Sequence, residues 1–163
     1  MSNNTSTLEQ PSSQTSSSSA PKPSTQVQPY LFFDGNCEEA VKFYQRALGA
    51  EVTMLMHYKD SPEPQNAEMC TPMSADKVMH ANFRIGSTNI LASDGPSHGA
   101  PSFKGFSLSL TVTDQSQAKK FFAALSDGGQ IQMPLDKTFF SPLFGMVADR
   151  FGVCWMVYVT PSA

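Results

Sequence analysis

Two stretches of this chain carry the same pattern of hydrophobic positions. Ala40, Phe43, Tyr44 and Ala47 stand at i, i+3, i+4 and i+7, and Ala118, Phe121, Phe122 and Leu125 repeat that spacing. Such spacing lays an apolar stripe along one side of a helix. The words are nearly the same too, AVKFY at 40–44 and AKKFF at 118–122. Each helix is predicted to begin at a capping box, Asn36 with Glu39 and Asp114 with Gln117. Each is predicted to stop at glycine, Gly49 in the first and Gly128-Gly129 in the second.

Strand-like runs flank both helices in the same order. YLFF (30–33) precedes the first, and AEVTMLMHY (50–58), VMHANFRIG (78–86) and STNILASD (87–94) follow it. FSLSLTV (106–112) precedes the second, and QIQM (130–133), FGMVADR (144–150) and GVCWMVYV (152–159) follow. Turn residues sit at Ile85-Gly86-Ser87 and Arg150-Phe151-Gly152, where hairpins need them. The pattern predicts an α+β fold of two tandem βαβββ modules, about 29–94 and 106–160, joined by the Gly/Pro/Ser-rich GPSHGAPSFKG (95–105). Period-two alternation then sorts side chains between two faces. Met79, Ala81, Phe83 and Ile85 go toward a helix, and His80, Asn82 and Arg84 go the other way. Leu108, Leu110 and Val112 oppose Ser107, Ser109 and Thr111, and Val153, Trp155 and Val157 oppose Cys154, Met156 and Tyr158.

Composition changes the picture at the N-terminus. Residues 1–28 are mostly Ser, Thr, Gln, Asn and Pro, and they cannot bury enough surface to offset their ordering entropy. They read as a disordered tail before a single domain at 29–163. The segment has neither the apolar stretch of a signal peptide nor the arginines of a transit peptide. A net charge of −3 without a basic patch argues against a nucleic-acid partner. No apolar run is long enough to span a membrane. Cys37, Cys70 and Cys154 are an odd, sparse set, which fits a reducing cytoplasm.

The segments YLFFDGNCEEAVKFYQRALGAEV (30–52), VMHANFRIG, ILASD and DRFGVCW (149–155) resemble the PhnB-like branch of the vicinal-oxygen-chelate superfamily, which includes glyoxalases, bleomycin-resistance proteins and extradiol dioxygenases. The resemblance covers nearly all of 29–160. It implies two sheets curled into an incomplete barrel, helices on its outside, a ligand cavity on its inside, and a homodimer. It also implies a place for a metal, one ligand from each of four strands. By register those positions are Pro29 or Leu31, Asn89 or Leu91, Ser107, and Met156. None is a good ligand for a divalent ion, so neither metal nor cofactor is expected. Branch members often carry a label resembling "3-demethylubiquinone 3-methyltransferase". No glycine-rich loop after a strand supports that activity here.

The expected cavity wall comprises His80, Asn82, Arg84, Ser107, Ser109 and Met156. His80 is either a general base oriented by Asp94 or a structural histidine. Arg84 is either a fork for an anionic group or half of a salt bridge within the wall. His57 and His98 read as surface residues and Cys154 as a buried filler. Asp149-Arg150-Phe151-Gly152 reads as a turn, and Phe139, Phe140 and Phe144 as core packing in preference to a cavity mouth or a dimer interface. The expected function is binding of a small molecule, with an anionic group read from Arg84, without metal chemistry. The alternatives are an enzyme of lyase, isomerase or dioxygenase type, and a resistance protein that sequesters a drug.

Overall fold

The computed structural model describes residues 25–62, 75–95 and 101–161. Cys70, His98 and most of the Ser/Thr-rich N-terminal segment lie outside them. The first module runs β1 (Tyr30–Phe32), α1 (Cys37–Leu48), β2 (Glu51–His57), a single 3-10 turn (Tyr58–Asp60), β3 (Val78–Ile85) and β4 (Thr88–Ser93). The second runs β5 (Leu108–Val112), α2 (Gln115–Ser126), β6 (Gln130–Asp136), β7 (Phe144–Ala148) and β8 (Cys154–Val159). The expected duplication is present in full. One sheet has the order β1-β4-β3-β2 and the other β5-β8-β7-β6. In each, the first strand pairs parallel to the last, and the remaining pairs are antiparallel.

The helix starts differ from each other. Asp114 caps α2, accepting from the N–H groups of Ser116 at 3.3 Å and Gln117 at 2.9 Å. Asn36 does not cap α1, because its side chain makes no cap hydrogen bond. Asp94, at the end of β4, takes its place. Its Oδ1 accepts from Gly35 N at 2.7 Å and Cys37 N at 2.9 Å, and its Oδ2 from Val78 N at 2.7 Å. A carboxylate from the end of the neighbouring strand thus takes the first helical N–H, that of Cys37, and ties down the turn before it. At the other end Gly49 adopts φ +70° and closes α1, a conformation that suits glycine.

The sheets do not close into a barrel, and the helices do not lie outside one. The helix-bearing faces share a single core instead. Leu31, Ala81, Phe83, Ile90 and Ala92 of the first sheet join Val147, Trp155, Val157 and Val159 of the second, with Tyr44, Ala118, Phe122 and Leu125 between. At the junction Tyr44 stacks on Phe83 at 5.7 Å and meets Trp155 edge-on at 5.4 Å. Phe151 lies against Phe33, Phe43 and Tyr44, and Arg150 covers the Phe43 ring at 4.9 Å. The amphipathic helices bury their stripes against both sheets, so among the described residues no helix covers the opposite sheet faces.

Candidate functional site

Strand alternation builds two open faces. On the first sheet Arg84 stands opposite Glu51 and Asn89, Asn82 opposite Met54 and Leu91, His80 opposite Met56, and Tyr30 beside Leu91. On the second, Met156 stands between Ser109 and Met146, and Tyr158 between Thr111 and Phe144. The tandem grouping of His80, Asn82 and Arg84 on one face is as expected, as is that of Ser109 and Met156. Ser107 lies just before β5, beside Met156 and Cys154 in a shallow hollow of about 440 Å³. The two groups stand on separate sheets, His80, Asn82 and Arg84 on the first and Ser109 and Met156 on the second.

Individual partners sharpen the picture. His80 Nδ1 lies 3.2 Å from the Tyr30 hydroxyl, and the two rings are 5.9 Å apart. Asp94 does not orient His80, because both its oxygens are committed to backbone N–H groups inside the sheet edge. Arg84 pairs with Glu51 at an exposed margin. Asn82 is the exception to good pairing, for its Oδ1 is buried without a hydrogen-bond partner. An orphaned buried acceptor costs free energy until something donates to it.

Several side chains escaped the sequence reading. Tyr30 and Phe32 alternate with Leu31 and place two exposed rings, 4.9 Å apart, on the open face. The period-two rule could have found them within YLFF. Glu51 and Met54 could not be found that way, because the β2–β3 register carries a bulge between Val52 and Met54. Phe139 belongs to no core, for it is fully exposed, with Phe140 partly so. Cys154 is half-buried rather than buried, and its Sγ lies 3.6 Å from Gln132 Nε2. His57 bridges Glu38 at 3.1 Å and Asp60 at 3.3 Å, tying β2 to α1.

Buried groups away from these faces are perturbed as well. Burial raises the Cys37 thiol, helped by the charges of Asp94 and Glu38, so it stays protonated and unreactive. Asp149 accepts from Tyr44 Oη at 2.7 Å, Trp155 Nε1 at 2.8 Å, Phe151 N at 2.9 Å and Val153 N at 3.1 Å. Burial raises its pKa, and these donors hold it back. The turn reading of Asp149-Arg150-Phe151-Gly152 is right. The same residues also clamp the second module to α1 of the first.

The superfamily's metal does not fit the residues present. Leu31 is buried on the helix side, and the other matched positions offer an amide, an aliphatic chain, a hydroxyl and a thioether. Among the described residues no three His, Cys, Asp or Glu side chains gather as a metal site would need.

The family model described as 3-demethylubiquinone-9 3-methyltransferase matches residues 25–158. The chain is similar to Protein YjdN of Escherichia coli K12, 38% identical over 140 residues, covering 82% of this chain and 94% of that one. It resembles the crystal structure of protein PA1353 from Pseudomonas aeruginosa at 42% identity and a TM-score of 0.73, covering 85% of this chain and all of that one. It also resembles a putative 3-demethylubiquinone-9 3-methyltransferase, PhnB protein, from Bacillus cereus, at 26% identity and a TM-score of 0.69, with 83% and 100% covered. At the start of α1 Asp94 holds the Cys37 N–H, and at the start of α2 Asp114 holds those of Ser116 and Gln117.

Proposed function

The chain belongs to the 3-demethylubiquinone-9 3-methyltransferase family, in its PhnB-like branch with the vicinal-oxygen-chelate fold, and from that premise we propose that it binds a small, partly apolar molecule on the open faces of its sheets without the superfamily's metal. The carrying observation is that, among the described residues, no helix or strand layer covers one face of each sheet, and that the first of these faces mixes rings, thioethers and hydrogen-bonding groups. Ligand pockets have that composition, mostly apolar with a few placed polar groups. The orphaned Asn82 Oδ1 supports the reading, since a ligand donor would satisfy it. His80, Asn82, Arg84, Ser107, Ser109 and Met156 form the wall, with Tyr30 and Phe32 at its edge. His80 would be the acid–base group if chemistry occurs there. An anionic ligand group would have to share Arg84 with Glu51.

A second copy of the chain would bring an open face of each kind together and enclose the ligand. The unit that does this is the domain at 29–163, with cytoplasm as its place, no nucleic-acid partner, and 1–28 as an appended tail. Among the described residues no helix is long and apolar enough to cross a membrane.

The test is mass spectrometry of small molecules that co-purify with the full chain, followed by titration of the molecule found into His80→Ala, Asn82→Ala and Arg84→Ala. Each variant should weaken binding by about 1–3 kcal/mol, the usual cost of a lost buried or charged hydrogen bond. The melting temperature should move little. Variants that bind normally and melt early would return these residues to the scaffold and end the proposal. Turnover that depends on a bound metal would favour the enzyme reading, and a captured drug the sequestering one.

A further inference from the structure

The two modules are near-copies, so the places where they differ are informative. The repeated helix word puts Phe43 in α1 and Phe121 in α2 at matching positions. Phe43 is covered. The turn between β7 and β8 lays Phe151 against it at 5.7 Å and Arg150 over its face. The segment before β5 adds Phe103, buried against Phe33 at 5.5 Å. On the matching side the turn between β3 and β4 is only Gly86-Ser87, and the segment before β1 brings no ring. Val27, its one apolar residue among those described, is 95% exposed. Phe121 therefore stays only half-buried, and a groove of about 700 Å³ opens beside it.

The groove has a definite chemistry. Its apolar floor is Leu48, Ile85, Leu110, Val112 and Phe121. Its rim carries hydroxyls from Ser87, Thr88, Thr111 and Thr113 and the amide of Gln117, and none of its lining residues is charged. In the matching half, where Phe103 and Phe151 lie, the hollow is only about 360 Å³. We propose that this groove binds a small uncharged aromatic molecule carrying a hydroxyl or amide, its ring set on Phe121 where the other half sets Phe151 on Phe43. The site is distinct from the His80 face and touches the proposed wall only at Ser109, so each reading can fail alone. An aromatic pair contributes beyond its buried area, and the rim hydroxyls can satisfy the ligand's polar group. A carboxylate would enter without a cationic partner and would be disfavoured.

The test is a titration of benzyl alcohol, and separately of benzoate, into isotopically labelled full chain followed by amide NMR. Benzyl alcohol should give saturable shifts at Gly86, Ser87, Thr111, Thr113 and Gln117, and benzoate markedly smaller ones. Ser87→Phe places a ring from an exposed turn, as Phe151 does in the other half, and should abolish the shifts without lowering the melting temperature. Phe121→Leu gives a second reading should that variant fold poorly, and it too should abolish them. Shifts confined to other regions, equal binding of benzoate, or full binding by both variants would overturn the proposal.

Discussion

Tyr44→Phe is the most informative single change in this molecule. The substitution removes one oxygen from a fully buried ring. The stack on Phe83 and the edge contact with Trp155 are kept, so no cavity opens. What disappears is a 2.7 Å hydrogen bond to Asp149 Oδ2. That carboxylate keeps Trp155, Phe151 and Val153 as donors but loses the only one supplied by the first module. A hydrogen bond to a charged acceptor contributes about 1.5–3 kcal/mol, against about 1 when both groups are neutral. Burial raises the Asp149 pKa above its unfolded value, so its contribution to stability is full below the unfolded pKa of about 3.9 and is lost as pH rises through the folded value. Tyr44 is held well above its ordinary pKa by burial and by the Asp149 charge, so it remains a donor throughout. Removing it raises the Asp149 pKa further and enlarges the loss. The stability gap between the two proteins should therefore be about 1 kcal/mol near pH 4 and widen to about 2–3 kcal/mol by about pH 8. Denaturant unfolding read by the single tryptophan, Trp155, measures it directly. A gap that is constant across that range, or that narrows as pH rises, would refute the argument.

Asp94→Ala should cost about 3 kcal/mol or more, because it removes the α1 cap and orphans the N–H groups of Gly35, Cys37 and Val78; Asp94→Asn, which keeps one acceptor oxygen, should cost less, and thermal unfolding of the two variants would show whether the order is reversed. Protein purified without chelators and dialysed should hold no stoichiometric Mn, Fe, Ni or Zn by elemental analysis, and retention of one that is lost on Met156→Ala would overturn the metal-free reading. Sedimentation should show a dimer whose dissociation constant rises on replacing Tyr30 and Phe32 together by serine, whereas a monomer at all concentrations would remove the proposed enclosure.

The duplication was legible because it is written in local signals. Helix stripes, turn residues and the Gly49 stop act over a few positions and were in the right place, whereas α2 is capped by Asp127, one residue before the expected Gly128. Face assignment on β3, β5 and β8 was legible for the same reason. The relation between the modules was not. Nothing local says that α1 meets α2, or that Tyr44 reaches a carboxylate 105 residues away. The resemblance supplied the incomplete barrel of two unclosed sheets, but not which faces of those sheets meet. The cap of α1 failed for a related reason. Asn36 has the right chemistry, but Asp94, 57 residues beyond the first helical residue, carries a charge and two oxygens toward three donors, and it wins on both electrostatics and number of bonds.

The departures from symmetry tell more than the symmetry does. Tyr44 and Phe122 hold matching positions in the repeated word, yet only the first bears a hydroxyl. Phe122 is buried beside Gly145, where any Cβ would come within 2.7 Å of its ring, so the second module closes by close packing and needs no polar partner there. The first module carries its hydroxyl into the core because Asp149 is already there, holding the β7–β8 turn by two backbone N–H groups. A buried carboxylate with only those bonds would be costly, and Tyr44 and Trp155 bring it to four. One module thus supplies a fixed acceptor and the other a donor, which makes their junction specific in orientation where apolar packing alone would let it slide. That fixed junction commits both helix stripes inward. Among the described residues that leaves the opposite sheet faces open, and those faces and the groove beside Phe121 are where the proposed ligands would sit.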